Sequence, residues 1–394
     1  MERKIGQSFA VNYHYDICFT EHLFRPGNRL LAAFFAGKMA QATPKLLITV
    51  DEGVIHHHPG LIGRIKDYFD TVTGVVLIDE VMEIPGGEVS KNTPTIIDRI
   101  IDAVDRHGVD RHSYIMAIGG GAVLDAVGYA ATIAHRGIRH IRVPTTVLSQ
   151  NDSGMGVKNG INYRGKKNFI GTFSPPVAVF NDRAFLPTLP HRQWLGGIAE
   201  AIKVALIKDR DFFEWIAVNA ARLHDRDNGV MDELIYRCAE LHLQHIAGTD
   251  PFEFGSSRPL DFGHWSAHKL EQLSRFDVLH GEAVSIGIAL DCVYSSLTGL
   301  LSRPDADRIV EVLQAIGLPV FHPLLEVDSQ DPEKRHPLLD GLEEFREHLG
   351  GRLTVMLLEG IGKGIEVHQL DNGSVLQAAA ILQHRATKHA GLSC

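Results

Sequence analysis

Hydrophobic and polar residues follow two different rhythms along this chain. In the first half, short apolar runs alternate with segments of helical periodicity, and these runs lie at 46–50, 75–78, 114–120 and 141–146. The segment 94–108 is typical of the intervening helices, because Pro94 stands near its start and Gly108 just past its end. This alternation predicts a parallel β-sheet covered by helices.

The second half carries mostly helical periodicity. Helices are predicted at 192–209, 229–247, 304–317 and within 264–300, where a turn falls at 274–278. A further strand is predicted at 353–358. The turn-rich segment 171–182 is expected to bridge the halves, so we predict an α/β domain at 1–182 and a mostly α-helical domain at 183–394.

Composition and charge favour a small-molecule protein. The 394 residues carry a formal net charge of −9, with a pI near 6.2, which gives no basic surface for nucleic acid or anionic membranes. The four cysteines lack CxxC spacing, so neither a zinc ribbon nor a disulfide framework is expected. No signal peptide or membrane-spanning run is evident, and a cytoplasmic location is expected.

A glycine run follows the third apolar strand. Gly119, Gly120 and Gly121 stand between the strand and a helix, where backbone N–H groups can receive a pyrophosphate. A plain tight turn is equally compatible, since the spacing departs from GxGxxG. Upstream, Glu88 in 86–91 could hold a cofactor ribose, or could simply belong to a solvated loop.

The segment 144–171 is rich in Asn, Asp, Gly and Lys between apolar flanks. It is either a structurally idle surface loop or an anion or polyol site, and the second interpretation gains from its place beside the glycine run. The residues that could bind such a ligand are Asp152, Lys158, Lys167 and Asn168.

Three histidines fall in the apolar, helix-forming stretch 260–287. His264 and His268 lie one helical turn apart, and His280 begins the next helix. Glu200 and Lys203 share one face of an apolar helix, which indicates either an exposed ion pair or a buried carboxylate that needs a cation. Two imidazoles and a carboxylate can hold a metal ion and leave one coordination position open.

Seven segments together resemble the sugar phosphate cyclases typified by 3-dehydroquinate synthase. They are GGEVSK, IGGGAVLDAVGYAA, HRGIRHIRVPTTVLSQNDSGMGVK, GKKNFIGTF, GGIAEAIKVALI, DFGHWSAH and LHGEAVSIG, spread over about residues 45–300. The resemblance implies a Rossmann-like N-terminal domain that binds NAD, a C-terminal α-helical domain that binds a divalent metal, usually zinc or cobalt, and a homodimer.

The resemblance also implies roles for individual residues. The metal ligands would be Glu200, His264 and His280. The residues that would act on or bind the sugar phosphate are Lys203, His268, Asp152, Lys158, Asn168 and Arg136, the last reaching in from the neighbouring subunit. Those implied to hold NAD are Asp51, Glu88, Lys91, Gly119, Gly120, Gly121, Asp125, Thr145, Thr146, Lys167 and Thr188.

The chain departs from the dehydroquinate synthase pattern where a substrate carboxylate would bind. Ser257 replaces an arginine, although Arg258 follows it, Asp261 replaces an asparagine, and Leu243 replaces a lysine. Lost cations and a gained carboxylate disfavour a carboxylated substrate. We therefore expect as substrate sedoheptulose 7-phosphate, a ketose whose head group is an uncharged hydroxymethyl ketone. The related 2-epi-5-epi-valiolone synthases lack the histidine that His268 preserves, so the resemblance implies 2-epi-valiolone as the product, formed with phosphate elimination and transient NAD redox.

Other activities remain compatible with the same residues. A 3-dehydroquinate synthase is the first alternative, and Arg258 could restore carboxylate binding if the loop shifted by one residue. A metal-dependent polyol dehydrogenase would accumulate NADH and usually lacks the GKKN and Glu-x-x-Lys combination. A non-catalytic relative would have no physical reason to keep three polar groups at metal spacing.

Overall fold

A computed structural model describes residues 3–36, 43–248, 250–252, 260–327, 336–348 and 352–390. The strands of these ranges are β1 Asp16–Thr20, β2 Lys45–Asp51, β3 Val76–Ile84, β4 Tyr114–Gly119, β5 Arg139–Pro144, β6 Lys158–Tyr163, β7 Lys166–Phe173, β8 Ala178–Asp182, β9 Val355–Gly360 and β10 Lys363–Val367. None of the helices within the described ranges is long and apolar enough to span a bilayer.

The helices fall into two groups. Those of the N-terminal half are α1 Leu30–Ala36, α2 Glu52–His57, α3 Leu61–Phe69, α4 Val89–Asn92, α5 Pro94–His107 and α6 Gly121–Ile133. Those of the C-terminal half are α7 His191–Lys208, α8 Arg210–Val218, α9 Ala220–His224, α10 Asn228–Ile246, α11 His264–Leu273, α12 His280–Leu297, α13 Arg303–Ile316, α14 Pro337–His348 and α15 Asn372–Ala390.

The N-terminal half is built around a six-stranded parallel sheet with the order β1-β8-β5-β4-β2-β3. Buried apolar side chains cover both faces, as the continuous apolar runs of β2 and β4 require. From β2 the chain moves to one side to form β3, and from β4 it moves to the other to form β5 and β8. The order therefore reverses between β2 and β4, which opens a crevice at their carboxyl ends.

The C-terminal half packs its helices around one large apolar core. Helices α7 and α12 are buried along nearly their whole length, while the β9–β10 hairpin lies against them. The predicted fold class, an α/β Rossmann-like domain followed by a mostly α-helical domain, is confirmed. The predicted break between two helices at 274–278 is also confirmed, since α11 ends at Leu273 and α12 begins at His280.

The segment 171–182 differs from its prediction as a turn-rich bridge. β7 extends to Phe173, and β8 at Ala178–Asp182 is a fully buried strand between β1 and β5. The tandem prolines Pro175 and Pro176 suggested a loop, yet they lie in the short link before β8. Sequence alone missed this strand because five residues beside a proline pair give too short a pattern.

A buried carboxylate joins α11 to α12. Asp291 is 1% exposed and accepts hydrogen bonds from the Trp265 indole (2.9 Å) and the Gly263 backbone N–H (3.0 Å). Burial raises the pKa of Asp291 to about 7, although the two hydrogen bonds lower it in part. The folded protein therefore keeps a proton on Asp291 at a pH where the unfolded chain has released it.

We predict a pH-dependent stability difference between wild type and Asp291→Asn. The free energy of unfolding of wild type should fall relative to the variant by about 1.4 kcal/mol per pH unit between pH about 4 and about 7, and stay level above. The variant has no carboxyl group that titrates at this position, so its free energy of unfolding lacks this pH dependence. Loss of a hydrogen bond would add only a constant difference. Urea unfolding across this range measures the difference, and parallel curves for the two proteins would contradict the prediction.

Candidate active site

Two glycine contacts bring three helices unusually close together. A Cβ on Gly281 of α12 would lie 2.1 Å from the Gly196 backbone carbonyl oxygen of α7, so position 281 requires the absence of a side chain. Gly263, at φ 75°, precedes α11, and a Cβ there would lie 2.8 Å from the Ile288 backbone nitrogen of α12. These close approaches place side chains from α7, α11 and α12 around one point.

Glu200, His264 and His280 converge at that point. The Glu200 Oε1 atom lies 3.5 Å from His264 Nε2 and 3.4 Å from His280 Nε2, and one ligand atom from each residue lies within 4.8 Å of the others. Two ligands bound to one tetrahedral zinc ion are about 3.4 Å apart. Both Glu200 oxygens are buried and accept no well-formed hydrogen bond from the described residues, which fits a site built for a divalent cation.

Lys203 compensates the buried charge of Glu200. Its ammonium contacts the Glu200 Oε2 atom, and the two side chains are 3% and 0% exposed. Burial opposes both charges, but Lys203 and then His264 hold the pKa of Glu200 well below its usual value. Burial would likewise lower the pKa of Lys203, yet Glu200 and Asp152 raise it above its usual value. Lys203 is therefore a permanent cation beside the metal-binding cluster.

The three histidines have three different environments. Burial, followed by the charge of Lys203, lowers the pKa of His264 to about 3. Burial and Lys167 oppose a proton on His280, but Glu271 and Glu200 outweigh them and raise its pKa to about 9. His268 stacks 6.2 Å from His280, ring centre to centre, and burial keeps its pKa well below the usual value. His268 is thus neutral at physiological pH.

The glycine run lies at the crevice between β2 and β4. Gly119 ends β4 and Gly120 is the N-cap of α6, so the helix N-terminus opens at the point where the strand order reverses. A Cβ on Gly119 would approach the Asp51 Cβ to 3.1 Å, and one on Gly121 would approach the Ser153 hydroxyl to 2.5 Å. The Thr145 N–H donates to the Gly119 carbonyl (3.0 Å).

Five of the residues implied in NAD or substrate binding form one charged cluster beside this helix. Lys91 is 4% exposed, pairs with Asp125 at 2.7 Å and also contacts the Asn168 side-chain oxygen. Lys167 lies 3.6 Å from Glu88. The hairpin β6–β7 supplies Lys167 and Asn168, so part of the segment 144–171 is a structured β-hairpin that packs against α6.

A fully buried arginine holds the loop that carries Asp152 and Lys158. Arg142 on β5 is 0% exposed and donates to the backbone carbonyls of Gly156 (2.7 Å) and Lys158 (2.9 Å). Asp152 lies in a π-helical turn, 3.2 Å from His242 Nδ1. Burial lowers the pKa of His242, and the charges of Lys203 and Lys158 lower it further against the opposing charge of Asp152. Lys158 itself is exposed.

The substitutions expected to select the substrate are only partly described. Asp261 is half-buried before α11, and its charge contributes to raising the pKa of Lys203. Leu243 packs with Met155, Val179 and Ala239 in a small apolar cluster. Ser257 and Arg258 lie outside the described residues, so their expected roles stay predictions.

Three further predicted site residues follow elements of the sheet domain. Arg136 is exposed after the C-terminal end of α6, whose 13 residues separate it from the glycine run by about 20 Å. Thr146 contacts the Ser149 hydroxyl (2.8 Å). Thr188 contacts His58 Nε2 (2.9 Å), and His58 lines a cavity of about 670 Å³ together with Asp182 and Phe185.

Sequence reasoning missed three residues of this region. Glu271 is 2% exposed and contacts both Lys167 and His280; its position three residues after His268 on the same helical face could have indicated it. Arg142 could have been noticed as a charge within the apolar run 141–146. His242 gave no signal, because its partner Asp152 is distant in sequence.

Comparisons with known proteins agree with this architecture. Residues 81–196 match the family model of the 3-dehydroquinate synthase N-terminal domain, and residues 197–335 match that of its C-terminal domain. A 3-dehydroquinate synthase from a Nitratiruptor species is 41% identical over 261 residues, which are 66% of this chain and 72% of the relative. The 3-dehydroquinate synthase of Nitrosospira multiformis is 39% identical over 294 residues, which are 74% of this chain and 77% of the relative.

Solved structures show the same fold. A 2-epi-5-epi-valiolone synthase from Streptomyces hygroscopicus subsp. jinggangensis 5008, solved with NAD⁺ and Zn²⁺, superposes with a TM-score of 0.85 at 29% identity, covering 97% of this chain and 100% of that one. A 2-deoxy-scyllo-inosose synthase solved with carbaglucose-6-phosphate, NAD⁺ and Co²⁺ shares the fold at 23% identity, with a TM-score of 0.73 and coverage of 92% and 95%. This chain belongs to the 3-dehydroquinate synthase-like family of sugar phosphate cyclases.

Proposed function

We propose that this protein is an NAD- and metal-dependent cyclase that eliminates phosphate from the ring form of a sugar phosphate. The observation that supports this most is the convergence of Glu200, His264 and His280 on one point, with the Lys203 ammonium against Glu200. Ion pairs through Glu271 and Lys167 connect this cluster to the charged groups of the sheet domain. The relatives solved with NAD⁺ and Zn²⁺ or Co²⁺ support the same cofactors. We further propose that the enzyme acts as a homodimer in the cytoplasm.

In this proposal NAD occupies the crevice and the metal occupies the histidine cluster. Bound there, NAD supplies reversible oxidation of a ring carbinol, and the metal supplies Lewis acidity at the carbinol oxygen. Lys91, Lys167 and the N-terminus of α6 offer positive charge to the pyrophosphate, while Asp51 and Glu88 offer acceptors to the ribose.

The remaining residues hold the substrate and its charge. Lys203, a permanent cation, stabilises negative charge that develops on the oxygen next to it. Lys158 supplies charge to the substrate phosphate, and the neutral His268 supplies a hydrogen bond rather than a second charge. The carbon next to the phosphate-bearing carbon loses its proton to the phosphate. The C–O bond to the phosphate then breaks, and a C=C bond forms between the two carbons. Arg136 from a second subunit would complete this phosphate site.

For the substrate we propose sedoheptulose 7-phosphate, converted to 2-epi-valiolone. Three carboxylates, those of Glu200, Asp152 and Asp261, act on Lys203, so a substrate carboxylate would meet like charges at this point. Leu243 packs in an apolar cluster where dehydroquinate synthases carry a lysine. A hydroxymethyl group can instead donate a hydrogen bond to Asp261.

A second candidate is 3-dehydroquinate synthase. The relatives of 34–41% identity carry that name, so the names favour this candidate over a cyclitol synthase. Its substrate is a carboxylated heptulosonate phosphate, which has a carboxylate where sedoheptulose 7-phosphate has a hydroxymethyl group. A single substitution at Asp261 can therefore separate the two candidates.

We predict that the Glu200 cluster binds Zn²⁺ or Co²⁺. Glu200→Gln and His264→Ala should each lower metal affinity by about 100-fold or more, because each removes one of three protein ligands. Competition with a chromophoric chelator on metal-stripped protein measures this loss. The exposed His57→Ala serves as the control and should bind metal as wild type does; equal affinity in all four proteins would contradict the assignment.

We also predict that NAD is regenerated in every turnover. With metal and NAD⁺ present, the protein should release inorganic phosphate from its sugar phosphate without steady accumulation of reduced nicotinamide, which phosphate and absorbance assays follow together. Continuous NADH formation without phosphate release would instead identify a polyol dehydrogenase.

A further prediction concerns substrate choice. Asp261→Asn should shift the ratio of kcat/KM values toward the carboxylated heptulosonate and away from sedoheptulose 7-phosphate by about tenfold, or about 1.4 kcal/mol. A fully buried like charge would cost more, but Asp261 is half-buried and partly screened. Asp211→Asn, on the exposed start of α8, should leave the ratio unchanged. A wild type that prefers the heptulosonate would establish the second candidate.

A further inference from the structure

Glu271 is a buried carboxylate that lies between the two proposed cofactor sites. It projects from α11, one of the C-terminal helices, and is 2% exposed. Its Oε2 atom lies 3.3 Å from His280 Nδ1, and its Oε1 atom lies 2.7 Å from Lys167 Nζ. No role in the proposed reaction accounts for burying a carboxylate here, which is costly unless both oxygens have partners.

The contact with His280 determines which ring nitrogen faces the metal. His280 Nε2 points to Glu200 Oε1 at 3.4 Å, while Nδ1 points to Glu271. A carboxylate at Nδ1 favours the tautomer with hydrogen on that nitrogen and leaves the Nε2 lone pair free for a metal ion. The same contact fixes the orientation of the imidazole ring.

The contact with Lys167 reaches into the sheet domain. Lys167 lies on β7 and also approaches Glu88 at 3.6 Å, within the charged cluster proposed to bind NAD. Lys167 is thus shared between a carboxylate of the helical domain and one of the sheet domain. A dinucleotide that binds the Lys167 ammonium weakens the ion pair between Lys167 and Glu271. The Glu271 carboxylate then interacts more strongly with the His280 N–H.

We propose that Glu271 is a positioning residue that holds His280 for the metal and Lys167 for the dinucleotide, and so couples the two binding sites. This inference rests on the proposed function, since it requires that both ligands bind. Binding of NAD⁺ should then tighten metal binding, and the metal should tighten NAD⁺ binding by the same factor.

The first test uses the wild-type protein alone. Co²⁺ affinity, measured by calorimetry on metal-stripped protein, should increase about fivefold or more when NAD⁺ is present at saturation. If wild type binds neither Co²⁺ nor NAD⁺, the proposed function fails. If it binds both with no mutual effect, the proposed function stands and the coupling is wrong.

The second test removes the charge of Glu271 and keeps its shape. Glu271→Gln should weaken Co²⁺ binding by about 10–100-fold, change the visible spectrum of bound Co²⁺, and abolish the effect of NAD⁺. Glu271→Asp, which restores the charge, should recover part of the coupling. Glu344→Gln removes a different ion pair, which joins Glu344 of α14 to Lys269 of α11 (2.6 Å). This variant should change none of these values.

A structural role alone would give a different result. If Glu271→Gln lowers the thermal unfolding temperature but binds Co²⁺ with wild-type affinity, spectrum and NAD⁺ dependence, the inference is overturned. If that variant does not fold, Lys167→Met provides the same test from the sheet domain: it should weaken NAD⁺ binding and remove the coupling. Persistence of the coupling in Lys167→Met would contradict the proposal.

Discussion

The buried charge of Glu200 is the constraint on which the site depends. A carboxylate with 0% exposure is stable only if neighbouring groups compensate it, and here those groups are Lys203 on the same helix and two histidines from other helices. Each of these neighbours must be held at a fixed distance. The packing of α7, α11 and α12, with glycines at their closest contacts, provides that fixed geometry.

In the sheet domain, backbone groups supply positive charge. The crevice between β2 and β4 presents glycine N–H groups and a helix N-terminus, whose partial positive charge needs no side chain. Around it, the lysines Lys91 and Lys167 are paired with carboxylates. Arg142 then anchors the loop of Asp152 and Lys158 through backbone carbonyls, so that loop is ordered from within the sheet.

The two halves meet through charged contacts rather than through apolar packing alone. Lys167 of the hairpin reaches Glu271 of α11, and Glu271 in turn contacts His280. The proposed reaction oxidises, eliminates and reduces at one substrate without releasing it, which requires the oxidising group and the Lewis acid to share one pocket. A chain of paired charges between the domains is a physical means of holding those two sites at fixed positions relative to each other.

The sequence by itself determined the fold class, the two helices that flank the turn at 274–278, the glycine run and the residues of the candidate metal cluster, because these depend on local periodicity and on motif spacing. Tertiary structure alone decided the strand β8, the pairing of His242 with Asp152, the buried anchor Arg142 and the bridging position of Glu271. Those features arise where segments distant in the chain come into contact. Their energies come from burial and from charge pairing across that distance, which no local pattern encodes.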